Sequence, residues 1–134
     1  RNADLYAICD VADDLRERME WTHAPEKSYA DYDAMLADEK VDAVIIATSD
    51  PFHVPASIKA LQAGKHVLCE KPLGITVEEV LELKDAVQRS GKTLQVGHMK
   101  RFDEGLQAAK RFIQTWGRCR PGRSGIATPP TATP

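Results

Sequence analysis

One stretch decides the fold of this chain: Ala63-Gly64-Lys65-His66-Val67-Leu68-Cys69-Glu70-Lys71-Pro72-Leu73. Gly64 is typical of a helix C-terminus, because glycine readily adopts the left-handed conformation that ends a helix. The apolar run 66–69 then predicts a short buried strand. Pro72 fixes its own backbone and restricts Lys71 to extended geometry. The stretch therefore predicts a helix, a strand, and a long cation held in a defined direction beyond the strand end.

Strands and helices alternate on both sides of this stretch. Strands are predicted at 5–9, 28–29, 41–47, 66–69 and 93–96. Helices are predicted from Asp13 or Asp14, over 31–37, from Pro51 or Pro55 to Gly64, over 76–89 and over 103–114. Such alternation predicts an α/β fold with a doubly wound parallel sheet, because helices supply the crossovers that parallel strands need. The continuous β-branched run 41–47 predicts a strand buried on both faces.

Two of these helices carry clear sequence signals. Thr76 followed by Glu79 is a capping-box pattern, and an apolar stripe follows it before Gly91 ends the helix. In the helix over 31–37, the side chains of Tyr32, Met35 and Leu36 are expected on one face.

Composition excludes several classes of protein. The chain has 134 residues, a hydrophobic fraction of 43% and a net charge of -2, which gives no electrostatic support for a nucleic-acid or membrane partner. The longest apolar run, 43–47, is far too short to span a bilayer. The three cysteines are widely spaced, which favours neither a disulfide framework nor a zinc site. We therefore expect a cytoplasmic protein without a metal site.

Ligands of open α/β sheets bind beyond the carboxyl ends of the strands, so the residues that follow each strand are the candidates. Asp10 could accept hydrogen bonds from an adenosine ribose, or merely cap the next helix. The segment 48–53 could admit a nucleotide to the backbone, or be a plain turn. Lys71 could hydrogen-bond a substrate oxygen, or be solvated. His98 could line the crevice or be structural.

Four segments, in this order and spacing, resemble the glucose–fructose oxidoreductase, inositol dehydrogenase and MocA (Gfo/Idh/MocA) family. The resemblance extends from about residue 5 to residue 113, and the third segment is highly specific. The segments are Ile8-Cys9-Asp10; Val41-Asp42-Ala43-Val44-Ile45-Ile46-Ala47-Thr48 with His53 after it; residues 63–73 quoted above; and Val96-Gly97-His98 with Arg101-Phe102.

The resemblance implies a role for each segment. It implies a Rossmann-like domain of an NAD(P)-dependent oxidoreductase, in which Lys71 positions the reacting hydroxyl of a sugar, cyclitol or related substrate. Asp10 would hold the adenosine ribose, which favours NAD over NADP. The remaining cofactor-binding residues would be Ala47, Thr48 and His53 along the nucleotide path, Glu70, Lys71 and Pro72 near the nicotinamide, and Gly97, His98 and Arg101 at the border. The Lys71–Pro72 bond is expected to be cis, as in many relatives.

The same resemblance implies that parts of the family's site lie outside this chain. We expect the first strand, the glycine-rich phosphate loop and the second, catalytic domain to be absent. The chain alone should then neither turn over substrate nor bind cofactor tightly, and the intact parent should be a homo-oligomer. A non-catalytic dinucleotide-binding module and a structural or regulatory partner that reuses the fold stay open as alternatives.

The chain is expected to divide into a partial Rossmann domain over 1–114 and a non-native or disordered tail over 115–134. The tail is rich in arginine, proline, glycine and threonine and has no apolar period. Relatives continue instead into a Leu-Gly-Glu-Val-type strand, which suitable codons allow if the tail is read one base displaced. We hypothesise a frameshift there, which the encoding DNA tests. A genuine disordered tail or an expression artefact is the alternative.

Overall fold

A computed structural model describes residues 3–115, where strands and helices alternate as predicted. The strands are β1 (Ala7–Cys9), β2 (Lys27–Tyr29), β3 (Ala43–Ile46), β4 (His66–Cys69) and β5 (Leu94–Val96). The helices are α1 (Asp13–His23), α2 (Tyr32–Leu36), α3 (His53–Gln62), α4 (Val77–Ser90) and α5 (Glu104–Thr115). Short 3₁₀ turns cover Asp50–Phe52 and Met99–Phe102. The tail predicted at 115–134 lies outside the described residues except for its first position.

Every strand pair is parallel, which confirms the α/β class. β1 pairs with β2, and β3, β4 and β5 form a three-stranded sheet with β4 in its centre. No strand among residues 3–115 joins β1 to β3. In the doubly wound strand order a further strand lies at this place.

The core lies on one side of the three-stranded sheet. Helix α3 packs on β3 and β4, and α4 packs on α3. Leu61 of α3 and Leu83 of α4 are almost completely buried. Met35 and Leu36 of α2 are also buried, with Tyr32 packed partly against them, so the predicted apolar face of this helix is confirmed.

The prediction that the third strand is buried on both faces is wrong for this chain. Val44 and Ile46 are buried, whereas Ile45 between them is 70% exposed. Leu68 on the neighbouring strand is 38% exposed in the same alternating pattern. The physical reason is that α3 covers one face of β3 and β4, while no helix of residues 3–97 buries the other.

The chain divides into two units after Gly97. The first holds all five strands with helices α1 to α4, and the second, from His98 on, holds a 3₁₀ turn and α5 in its described part. The predicted domain over 1–114 includes both units and stays a prediction. Within residues 3–115, no helix is long and apolar enough to cross a membrane.

Candidate functional site

The carboxyl ends of β3, β4 and β5 lie side by side, because the three strands are parallel and in register. Cys69 is paired with Ile46 on one side and with Val96 on the other. The backbone ladder continues one residue further: the amide of Glu70 donates to Ile46 O at 2.9 Å, and the amide of Gly97 donates to Cys69 O at 2.7 Å. Topology therefore collects at one edge several residues that are far apart in sequence.

Lys71 lies at this edge with its side chain exposed. Its backbone amide donates to Oε2 of Glu70 at 3.2 Å, so the carboxylate folds back over the start of the loop. Within residues 3–115, the Lys71 ammonium takes part in no salt bridge. The Lys71–Pro72 bond is cis, as expected. The arrangement leaves a solvent-facing cation beside a half-buried carboxylate.

Glu70 and Gly97 are in close contact across adjacent strand ends. A Cβ atom added to Gly97 would lie 3.2 Å from the carboxyl carbon and from both carboxylate oxygens of Glu70. That distance is tight, so the carboxylate occupies space that a side chain at position 97 would need. A side chain at position 97 would therefore displace the Glu70 carboxylate from its contact with the Lys71 amide.

His53 lies at the first residue of α3 and is only 1% exposed. Both of its ring nitrogens face backbone carbonyls, Nδ1 that of Pro72 at 2.6 Å and Nε2 that of Thr48 at 3.0 Å. Ala47 and Thr48 themselves are exposed. The structure thus brings Thr48, His53 and Pro72 together, with the imidazole on the inside.

Asp10 follows β1, in the other sheet. Its Oδ1 accepts from the amide of Ala12 at 2.9 Å, close to the start of α1, which is the kind of contact that the capping alternative predicts. Its Oδ2 accepts no hydrogen bond from residues 3–115. Arg16 donates to the Asp10 carbonyl at 2.9 Å and also pairs with Asp13. Sequence reasoning missed Arg16, although its place in the first turns of α1 could have indicated it.

His98 and Arg101 belong to the second unit. His98 precedes the 3₁₀ turn Met99–Phe102, and the amide of Arg101 donates to the His98 carbonyl at 2.9 Å. Both side chains are exposed. The structure therefore links these two predicted residues to each other.

The cysteines of the described chain are not suited to nucleophilic chemistry. Cys9 and Cys69 are free, and burial raises the pKa of both thiols. A thiol with a raised pKa is protonated near neutral pH and is a weak nucleophile.

A second polar cluster, which the sequence did not indicate, surrounds the Asp38 carboxylate. The hydroxyls of Tyr6 and Tyr29 donate to Oδ2 of Asp38 at 2.8 and 2.7 Å, and the Lys65 ammonium donates to the Asp38 carbonyl at 2.8 Å. The hydrogen bond from Tyr29, with the amide of Lys40 and Tyr6 after it, lowers the pKa of Asp38 to about 2. Burial and then Asp38 raise the pKa of Tyr6 to about 12. No local motif announces contacts between residues so far apart in sequence.

The strand ends of the two sheets present exposed backbone and polar side chains. The small exposed side chains at 47–49 leave the backbone accessible, and an open carboxylate oxygen follows β1. Lys71 offers a donor and a positive charge where an oxyanion could develop. Together, these features define a parallel α/β domain with exposed polar groups at its strand ends.

Comparison with known proteins gives the family. Residues 1–98 match the family model described as "Oxidoreductase family, NAD-binding Rossmann fold", whose name is GFO_IDH_MocA. The chain belongs to this family, and its fold is the family's NAD-binding Rossmann fold.

The relatives are dehydrogenases, and the chain covers only part of them. It is 38% identical over 114 residues to the inositol 2-dehydrogenase/D-chiro-inositol 3-dehydrogenase of Shouchella clausii, covering 84% of this chain and 33% of that protein. Scyllo-inositol dehydrogenase from Lactobacillus casei, solved with NAD(H) and scyllo-inositol, is 29% identical with a TM-score of 0.76 over 83% of this chain and 33% of its own. The WlbA dehydrogenase of Bordetella pertussis, solved with NADH and UDP-GlcNAcA, is 30% identical with a TM-score of 0.81 over 87% and 34%. The chain spans about a third of the length of these relatives.

Proposed function

We propose that this chain forms part of the cofactor- and substrate-binding half of an NAD-dependent dehydrogenase. The enzyme would oxidise a hydroxyl carbon of a cyclitol, sugar or related polyol, or reduce the corresponding carbonyl. The observation that carries the proposal is the exposed Lys71 at the carboxyl end of β4, in a chain of this oxidoreductase family. The inositol substrates in the names of the relatives support the substrate class.

Lys71 is the proposed catalytic residue. A bound nicotinamide cofactor would supply the hydride acceptor for the carbinol carbon, or the hydride donor for the carbonyl carbon. The Lys71 ammonium donates a hydrogen bond to the reacting oxygen and stabilises the negative charge that develops on it. We assign the removal of the hydroxyl proton to no residue of this chain.

The other predicted residues would hold the cofactor. The open carboxylate oxygen of Asp10 would accept hydrogen bonds from the adenosine ribose, which favours NAD because a 2′-phosphate would be repelled there. The proposed contacts along the rest of the nucleotide are Ala47, Thr48, Glu70, Pro72, Gly97, His98 and Arg101.

We propose that the chain alone does not turn over substrate and binds cofactor weakly. It spans about a third of its relatives, and no glycine-rich phosphate loop precedes β1 within it. Helix N-termini of such loops hold the pyrophosphate, so their absence should weaken binding. A cytoplasmic location and a homo-oligomeric state are proposed for the longer protein, with neither nucleic acid nor membrane as a partner.

The test is a pair of lysine substitutions in the longer protein. Lys71→Ala should lower turnover by about a hundredfold or more, because it removes a group that acts on the reacting oxygen. Lys84→Ala, an exposed lysine on α4, is the matched control and should leave turnover unchanged. Unchanged turnover in Lys71→Ala would favour a non-catalytic use of this site. Calorimetric titration of the 134-residue chain with NADH tests the remaining point, and tight binding would contradict it.

A further inference from the structure

Both ring nitrogens of His53 face backbone carbonyl oxygens. The side chain is 1% exposed, and each ring nitrogen lies within hydrogen-bonding distance of one carbonyl oxygen, that of Pro72 or that of Thr48. A carbonyl oxygen can only accept a hydrogen bond, so each ring nitrogen bonds to its carbonyl only when that nitrogen carries a proton. The contact to Pro72, at 2.6 Å, is too short for two facing lone pairs, so Nδ1 is the donor there.

The two carbonyls belong to different loops of the site. Thr48 follows β3 and Pro72 follows β4, and these strands are neighbours in the sheet. His53 itself ends the loop after β3, so the bond from its Nδ1 to the Pro72 carbonyl joins the two loops at the edge where ligands of this fold bind. The helix end that carries the ring is itself held, since Ser57 Oγ donates to the His53 carbonyl at 2.6 Å.

We propose that His53 is a positioning residue: it ties the loop after β3 to the loop after β4 and thereby fixes the backbone beside Lys71. It touches neither cofactor nor substrate, in contrast to the cofactor-lining role that the family resemblance implies. The consequence for Lys71 rests on the proposed function, whereas the tie between the loops stands on the contacts alone.

The first measurement uses the unaltered 134-residue chain, isotopically labelled. Imidazole proton–nitrogen correlation spectra at neutral pH should show a proton on Nδ1 of His53 that exchanges slowly with solvent, with a coupling across the hydrogen bond to the Pro72 carbonyl. An unprotonated Nδ1, or one that exchanges as fast as that of an exposed histidine, would overturn the proposal.

The second measurement compares two variants by amide hydrogen exchange. His53→Phe keeps a ring of similar shape but removes both donors, and Ser57→Ala removes a buried hydrogen bond of the same helix turn while leaving the imidazole intact. Relative to the core amide of Val67, exchange at Lys71 should rise about fivefold or more in His53→Phe, as expected for the loss of one hydrogen bond. It should not rise in Ser57→Ala.

A purely structural role gives a different pattern. Exchange would then rise by the same factor at Val67 and Lys71 in His53→Phe, and that result would overturn the proposal. If His53→Phe does not fold, the spectra of the unaltered chain decide alone. NADH titration of the longer protein separates the two ideas: if that protein does not bind NADH while the exchange pattern is as expected, the proposed function is contradicted and the tie between the loops stays intact.

Discussion

The Glu70 carboxylate is confined between the amide of Lys71 and the Cα atom of Gly97. Gly97→Ala would place a methyl group 3.2 Å from that carboxylate and push it away from the strand end. We expect a loss of about 1 kcal/mol of unfolding free energy, which is typical of mild overpacking. Urea unfolding measures this loss.

A double-mutant cycle shows whether the contact with Glu70 is the cause. In a Glu70→Ala background the three nearest atoms to the added methyl group are gone, so Gly97→Ala should cost less there. Equal costs in both backgrounds would mean that the backbone at position 97, not the carboxylate, requires glycine.

The cluster around Asp38 makes a prediction about alkaline pH. Burial and Asp38 raise the pKa of Tyr6 from 10.0 to about 12, and the hydrogen bond to Asp38 raises that of Tyr29. Because the folded-state values are raised, this stabilisation is complete below pH 10 and is lost as the pH rises towards 12. Asp38→Asn should therefore lower the pKa values of Tyr6 and Tyr29 towards the ordinary tyrosine value. Tyrosinate absorbance after a rapid pH jump measures these pKa values. Burial raises the pKa of Tyr32 independently, so it should not respond, and a response there would contradict this assignment.

Low pH should weaken the same cluster, because it protonates Asp38. The pKa of Asp38 is lowered from 3.8 to about 2, so its stabilising effect is present above pH 4 and disappears as the pH falls through 2. The difference in stability between the natural chain and Asp38→Asn should therefore shrink over that interval in urea unfolding. A difference that stays constant from pH 5 to pH 2 would exclude the carboxylate as its source.

At the scale of elements, α4 begins with a complete capping box. Thr76 Oγ1 accepts from the Glu79 amide at 3.2 Å, and Glu79 Oε2 accepts from the amides of Ile75 and Thr76. Thr76→Ala should cost about 1 kcal/mol of unfolding free energy, because it leaves a helix N–H without its partner. Thr22→Ala is the control, since that hydroxyl only bonds back to the Arg18 carbonyl of its own helix. Equal effects of the two substitutions would contradict the capping role.

Local signals predicted the elements well where the physics is local. The capping box and the three-residue apolar face of α2 are encoded within a few positions and were predicted correctly. The start of α3 was harder to predict from the sequence, because Pro51 lies in a 3₁₀ turn and the α-helix itself begins at His53. The first strand begins at Ala7 and not at Leu5, whose side chain is 53% exposed and gains little from pairing.

At the scale of the whole molecule, candidate residues could be chosen because parallel strands bring their carboxyl ends to one edge. This principle selected Glu70 and Gly97 as strand-end residues, and the structure brings the two into close contact. The burial of His53 could not be predicted, since one partner is a carbonyl 19 residues away and backbone carbonyls carry no sequence signal. The Asp38 cluster was missed for the same reason, with Tyr6 32 residues distant.

One-sided burial of the three-stranded sheet gives the last prediction. Ile45 and Ile46 are adjacent residues of the same type on β3, 70% and 3% exposed. Ile46→Ala should cost about 3 kcal/mol of unfolding free energy, because it removes buried methyl groups and leaves a cavity against α3. Ile45→Ala should cost less than about 1 kcal/mol, as substitutions at exposed positions do. Urea unfolding of the two variants compares them directly, and similar costs would mean that both faces of the strand are covered in solution, as its β-branched sequence first indicated.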